Sequence, residues 1–214
     1  MSHLAVHWPE YTRFLVTLAA VLDPFTAVPV FLLLTRHHTP AERARTARIT
    51  ALTVGTLLAA AALAGEGLLV LMGTSIAAFR VGGGIVLLLM GLSMLGAETS
   101  PLRTTPAEAT EAATKESIAV VPLGIPLLAG PGALSAVIVQ MGRGSGPVHA
   151  VLVLACIAVV TLLCWLSLRF AERVGRTLGP IGLNVANRLL GLVLTAIAVE
   201  MMALGLKSLF PALG

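Results

Sequence analysis

Charge and aromatic rings are scarce in this sequence. Asp, Glu, Lys and Arg make up 11% of its 214 residues, against about 25% in a soluble domain. So few charges cannot cover a globule with polar groups, so hydrocarbon must be the solvent for most of the outer surface. Phe, Trp and Tyr are only 4%, which removes any aromatic platform for stacked bases. The fourteen Lys and Arg give a net charge of +4. They are scattered between apolar runs with no basic stripe, so the charge does not point to a nucleic-acid partner. The two cysteines, Cys156 and Cys164, share one apolar run. On one straight helix they stand about 12 Å apart along the axis, too far for a disulfide. Also missing are Walker A, G-x-S-x-G, H-E-x-x-H and C-x-x-C motifs, and no enzyme, cofactor or metal site is expected. The five histidines fall in tails or loops, His149 among them, without metal spacing.

Apolar residues are abundant: 57% of the chain, with a mean hydropathy of +0.96. They form six runs, roughly 12–35, 48–72, 76–96, 118–140, 148–170 and 185–209. Each can cross about 30 Å of hydrocarbon as a helix. The expected fold is therefore an all-α membrane protein, one transmembrane domain over 1–214, with the lipid bilayer as its main partner. The first run is too long for a signal h-region and is expected to be retained. Ten of the fourteen basic residues sit in the segments after spans one, three and five. The positive-inside rule then places those segments, including the polar loop 97–117, in the cytoplasm and both termini outside.

A faint repeat runs through these spans. Asp23-Pro24 in span one and Gly130-Pro131 in span four put their prolines 107 residues apart. Arg80 and Arg188, opening spans three and six, are 108 apart. Two landmarks at nearly one offset suggest two units, about 12–96 and 118–209. With three spans each, the units enter the membrane in opposite senses. That 3+3 inverted-topology repeat is an architecture of secondary transporters.

Spans one and four are also expected to break. Asp23 is a strong N-cap and Pro24 suits the first helical position, so a helix start is planted inside an apolar run. Pro29 adds a kink. Gly130-Pro131 is a second such start. Backbone groups freed at this depth are tolerated only under protein or beside water. If the two half-helix N-termini meet near the midplane, their positive ends form a site for a small solute with a carboxylate. The candidate lining is Asp23, Pro24, Thr26, Pro29, Gly130, Pro131, Gly132, Ala133 and Ser135. Asp23 offers a charge to a substrate amine, and the amides of Gly132 and Ala133 are expected to stay open. The blander reading makes Asp23 a cap and the prolines packed kinks. Glu200, an acid within span six, costs at least about 2.5 kcal/mol to place in lipid. It is a candidate for ion coupling, or else a hydrogen-bonded acid between helices. Gly84 and Gly91 on span three suggest a helix-contact face.

Three stretches now carry a resemblance: Asp23 to Phe31, Phe79 to Ile85, and Ile125 to Ala133. In this order they resemble the signature segments of the MarC family of bacterial inner-membrane proteins, and the likeness covers nearly the whole chain. Thr26 stands where the family commonly has Gly, and position 200 is more often an uncharged amide there. The family is classed with neutral amino acid transporters. The resemblance thus implies a multi-pass inner-membrane protein that moves small neutral amino acids or related metabolites, with H⁺ or Na⁺ as coupling ion. The alternative is a non-transporting membrane protein with an assembly or envelope role.

Overall fold

In a computed structural model the chain is described over residues 8–96 and 128–213, and every regular element among them is helical. Helix α1, Trp8–Leu22, stops at Asp23, whose φ of 42° is left-handed. Asp is one of the few side chains that tolerates this region. The Asp23 N–H still donates to the Ala19 carbonyl at 3.1 Å, closing the last turn. Pro24 has no N–H to donate, so the chain can only start again, as α2, Pro24–Leu34. The flanking helical arms meet at 42°.

Helix α3, Pro40–Leu71, begins with a capping box. The Glu42 N–H donates to Thr39 Oγ1 and the Thr39 N–H donates to the Glu42 carboxylate. After a turn at Gly73 comes α4, Ile76–Gly96. Helix α5, Pro131–Met141, starts from Gly130 with proline at its first position and no side-chain cap. Helix α6 is Pro147–Arg169. Helix α7, Ala171–Leu209, is interrupted at Gly179 (φ 61°, ψ 177°), which leaves a long arm from Ile181. A short 3-10 turn, Pro211–Leu213, follows.

Among the described residues, helices α3, α4, α6 and the arm Ile181–Leu209 are each long and apolar enough to cross a membrane, and the bent pair α1 and α2 makes a fifth if it is counted as one span. The expected spans 76–96 and 148–170 correspond closely to α4 and α6. The expected span 48–72 is corrected at its start, because Thr39, Pro40 and Glu42 begin α3 eight residues earlier, within polar sequence. The spans expected at 12–35 and 185–209 likewise begin earlier, at Trp8 and Ile181. Of the fourth run, residues 118–127 lie outside the described residues. Its described helix, α5, has 11 residues, about 16 Å and too short to cross alone. The loop 97–117 also lies outside the described residues.

The helices are clamped by small residues. Ala77, Gly84 and Gly91 recur every seventh residue along α4, as do Gly191, Ala198 and Gly205 along α7. The two sets meet antiparallel. A Cβ at Gly84 would lie 3.0 Å from the Ala198 carbonyl, one at Gly91 2.9 Å from that of Gly191, and one at Gly205 2.9 Å from that of Ala77. Without water to expel from apolar surfaces, helix association in lipid depends on such close van der Waals approach. The contact face expected from Gly84 and Gly91 is thus present, and its partner is α7. Helix α5 packs on α3 and α4, while α2 packs on α6 and α7. The two short helices are therefore each held by long helices from the other half of the chain. Both have 11 residues, and their first residues, Pro24 and Pro131, are 107 apart. Pro40 and Pro147, which open α3 and α6, repeat that offset.

The buried core runs from Phe14 and Leu18 through Val21, Phe31, Leu58 and Leu87 to Val137, Ile157 and Leu194. Large apolar side chains cover much of the outside as well: Leu33, Leu63, Leu71, Val151, Ile181 and Leu189 are all more than half exposed. A water-facing surface would not carry so many.

Candidate functional site

The two helix breaks lie side by side. A Cβ at Gly132 would sit 3.4 Å from Val21 Cγ1, two residues before Asp23. From that meeting point α2 and α5 diverge. Helix α5 runs back along α1, so that the Gln140 amide donates to Glu10 Oε1 at 3.0 Å near the first turn of α1. The N-terminus of α5 thus meets the α1–α2 junction inside the bundle.

Asp23 is fully buried, and Pro24, Ala27, Leu128, Ala129, Gly130 and Ala133 are also buried at the two breaks. The junction is tightly filled. The same Cβ at Gly132 would come within 2.8 Å of Met90 Sδ and 2.9 Å of Leu87 Cδ2. Glycine is what lets the α5 backbone approach α4 and α1 so closely. One expectation is corrected here. The Ala133 N–H is not open, because it donates to the Gly130 carbonyl at 3.1 Å, and the Leu134 N–H donates to the same oxygen at 3.2 Å. A tightened first turn absorbs both donors. The Gly132 N–H has no acceptor among the described residues.

The remaining candidates are dispersed. Ser135 is buried against α4, its Cβ 2.7 Å from where a Cβ on Gly83 would be. Pro131 is exposed, and Pro29 is exposed one turn beyond the junction. The side chain of Thr26 lies outside the described residues. Glu200 is far from the breaks, near the end of the bundle that carries Trp8. Its carboxylate accepts from Arg13 Nη1 at 3.2 Å, across 187 residues of sequence. Both side chains are more than half exposed.

Open volume lies on either side of the filled junction. Toward the Trp8 end, a cavity of about 380 Å³ opens between α1, α5 and α7. Its polar lining includes Thr12, Arg13, Thr17, Gln140, Arg143 and Glu200, and its apolar lining includes Phe14, Ala136 and Met201. Toward the opposite end, a wider cleft of about 670 Å³ lies between α2 and both parts of α7. Val28, Pro29, Leu32 and Leu183 line it, with Glu172 and Arg176 at its polar side. Arg43 of α3 pairs with Glu172 and also donates to the Thr35 carbonyl at 3.1 Å, tying the connection after α2 to α3 and α7.

Sequence reasoning missed a polar cluster at the Trp8 end. His149 is not in a loop: it occupies the first turn of α6 and is buried. Its Nε2 lies 3.0 Å from the Gln140 carbonyl, which can only accept, so Nε2 carries the proton. In the neutral ring Nδ1 then accepts from the Tyr11 hydroxyl at 2.8 Å. Tyr11, His149, Gln140 and Glu10 together join the first turns of α1 and α6 to the last turn of α5. The available signal was Pro147, a first-position proline that put His149 in a helix rather than a loop. No His, Cys, Asp and Glu grouping that could hold a metal occurs among the described residues. Cys164 is buried, and the Cys156 thiol points at the Tyr11 carbonyl, 3.9 Å away.

Comparison with known proteins places the chain among integral membrane proteins. The family described as MarC family integral membrane protein matches residues 8–210. The UPF0056 membrane protein YhcE of Escherichia coli is 36% identical over 206 residues, covering 96% of both chains. YvbG of Bacillus subtilis, another UPF0056 membrane protein, is 37% identical and covers 92% of this chain and 94% of its own. A UPF0056 membrane protein of the archaeon Methanocaldococcus jannaschii is 38% identical, covering 88% of this chain and 91% of its own. Such relatives extend the likeness beyond bacteria. No solved structure matches the chain.

Proposed function

Because the chain belongs to the MarC family of integral membrane proteins, we propose that it is a secondary transporter of small neutral amino acids or related small metabolites. In this reading it sits in the bacterial inner membrane with both termini outside. It has six spans in a 3+3 inverted repeat, and residues 118–127 of the fourth lie outside the described residues. The shared 107-residue offset of Pro24 with Pro131 and of Pro40 with Pro147 supports the repeat. So does the exchange of short helices between the halves.

The observation that carries the transport reading is the filled junction between two open volumes. Two broken helices present their amide ends there, and the cavities face opposite ends of the bundle. Such an arrangement admits solute from one side at a time once the halves rock about the junction. A through-pore channel would need a continuous polar path, which the apolar packing of Val21, Leu87, Met90 and Ala133 interrupts. Asp23 and the Gly130–Ala133 turn would meet the solute when the junction opens, and Ser135 would flank them. Glu200, in the Trp8-end cavity, is the acid a coupling proton or Na⁺ would reach first. No catalytic step or cofactor enters this reading.

The dry packing around Gly132 is also what the rival reading wants, a non-transporting protein with an assembly or envelope role. Proteoliposomes decide between them. Labelled alanine, glycine and serine should accumulate under an imposed pH or Na⁺ gradient, and Gly132→Trp should abolish that uptake. Absence of gradient-driven flux for all three solutes would remove the transport reading and leave the rival.

A further inference from the structure

The cavity at the Trp8 end holds more positive charge than its acids can balance. Arg13 and Arg143 line it with Glu200. Arg80 stands just inside α4, whose start packs against the end of α5 before Arg143. A Cβ at Gly142 would meet Ile76 Cδ1 at 2.6 Å, which shows how near the end of α5 comes to the start of α4. Glu200 is committed to Arg13, and Glu10, at the edge, accepts from Gln140. Within the lining, two guanidiniums therefore face one carboxylate. Arg143 has no hydrogen-bond partner for its side chain among the described residues, and the Arg80 Nε is buried without one. Arg143 and Arg13 are exposed, so the surplus charge is open to an anion that enters the cavity.

We infer that this cavity binds a small solute through its carboxylate, held by Arg143 with the Gln140 amide beside it, at a site separate from the helix junction. Arg143 supplies the planar two-pronged donor that matches a carboxylate. Gln140 is buried, and its amide nitrogen has a second hydrogen beyond the one given to Glu10. The surplus is one charge, which suits a monocarboxylate or the carboxylate end of a zwitterion. A phosphate dianion would overshoot it. The volume of about 380 Å³ holds such a solute with room left for water. Phe14, Ala136 and Met201 give it an apolar side, and Ala133, Val21 and Leu87 belong to the packed core at the junction. A solute bound here waits above the junction and does not touch it.

Calorimetric titration of the full chain in phosphatidylcholine nanodiscs tests the site, with propionate, L-alanine, L-alaninamide and inorganic phosphate as probes. Propionate, alanine or both should bind, and alaninamide should not. Binding of propionate alone assigns a simple carboxylate, and binding of alanine alone a zwitterion. Arg143→Gln should weaken binding roughly tenfold to hundredfold, the loss of a charged hydrogen-bonding partner. Arg143→Lys should recover part of that loss. Arg169→Gln, at the far end of the bundle, should change nothing. The inference is overturned if neither carboxylate binds, if alaninamide binds as well as alanine, if phosphate binds in their place, or if Arg143→Gln leaves affinity unchanged. Binding is read without flux, so a bound carboxylate with no transport leaves this site standing and removes only the transport reading.

Discussion

Asp23 stands where one residue must end a helix and precede another. Its left-handed φ of 42° costs an ordinary side chain about 1–2 kcal/mol, and a β-branched one the most. Asp23→Asn should therefore keep thermal stability close to that of the parent. Asp23→Val should lose about 1–2 kcal/mol in a detergent thermal-unfolding assay. If the Asp23 carboxylate serves the solute, the Asn variant should nonetheless lose most of its flux; equal flux in parent and variant would assign it to architecture alone. Gly132 makes a different demand. An added Cβ strikes Met90 and Leu87, so Gly132→Ala should cost about 1–3 kcal/mol through overpacking. Met90→Ala, which makes room, should recover part of that cost when combined with it. At Glu200 the expected readout is coupling. Glu200→Gln removes the acid and strands Arg13, so uptake should lose its dependence on the pH gradient while counterflow exchange persists.

Among the elements, the α4–α7 pair shows why small residues recur at seven-residue spacing. The neighbours of Gly84, Gly91 and Gly205 include backbone carbonyls, which cannot rotate aside as a side-chain tip can. Gly84→Leu or Gly91→Leu should therefore lower the unfolding temperature far more than Gly67→Leu on α3, where nothing lies within 4 Å of an added Cβ. Equal effects at the three positions would mean that α4 and α7 do not pack this closely. Much of this element scale was legible beforehand. Gly84 and Gly91 marked a contact face, and Asp23-Pro24 and Gly130-Pro131 marked breaks, because proline removes a donor wherever it stands. The early start of α3 was not legible from hydropathy, since a helix begins where its cap is satisfied and not where hydrocarbon begins. The capping residues Thr39 and Glu42 hold that information in another form.

Over the whole molecule, the two open volumes stand at opposite ends of the bundle with the junction between them. Accessibility should follow. In a background with Cys156 and Cys164 replaced, a membrane-impermeant thiol reagent applied outside intact cells should label Thr17→Cys. Leu32→Cys should be reached only from the cytoplasmic side. The reverse pattern would place the termini inside, against the distribution of Lys and Arg. Added solute should change the two labelling rates in opposite directions if the halves rock about the junction. Parallel changes would argue for a rigid protein.

The sequence by itself determined the solvent, the helical class, the positions of the breaks and the residues small enough to pack closely. These follow from charge content, apolar run length and the covalent chemistry of proline and glycine, all of them local properties. Only the tertiary structure decided what each break and charge would face. It filled the junction around Gly132 with Met90 and Leu87, closed the Ala133 amide on Gly130, and brought Arg13 to Glu200 across 187 residues. It also set the end of α5, at Gly142, against the start of α4, at Ile76. Such pairings depend on how helices distant in sequence rotate and cross once small residues let them approach, and no local pattern encodes that.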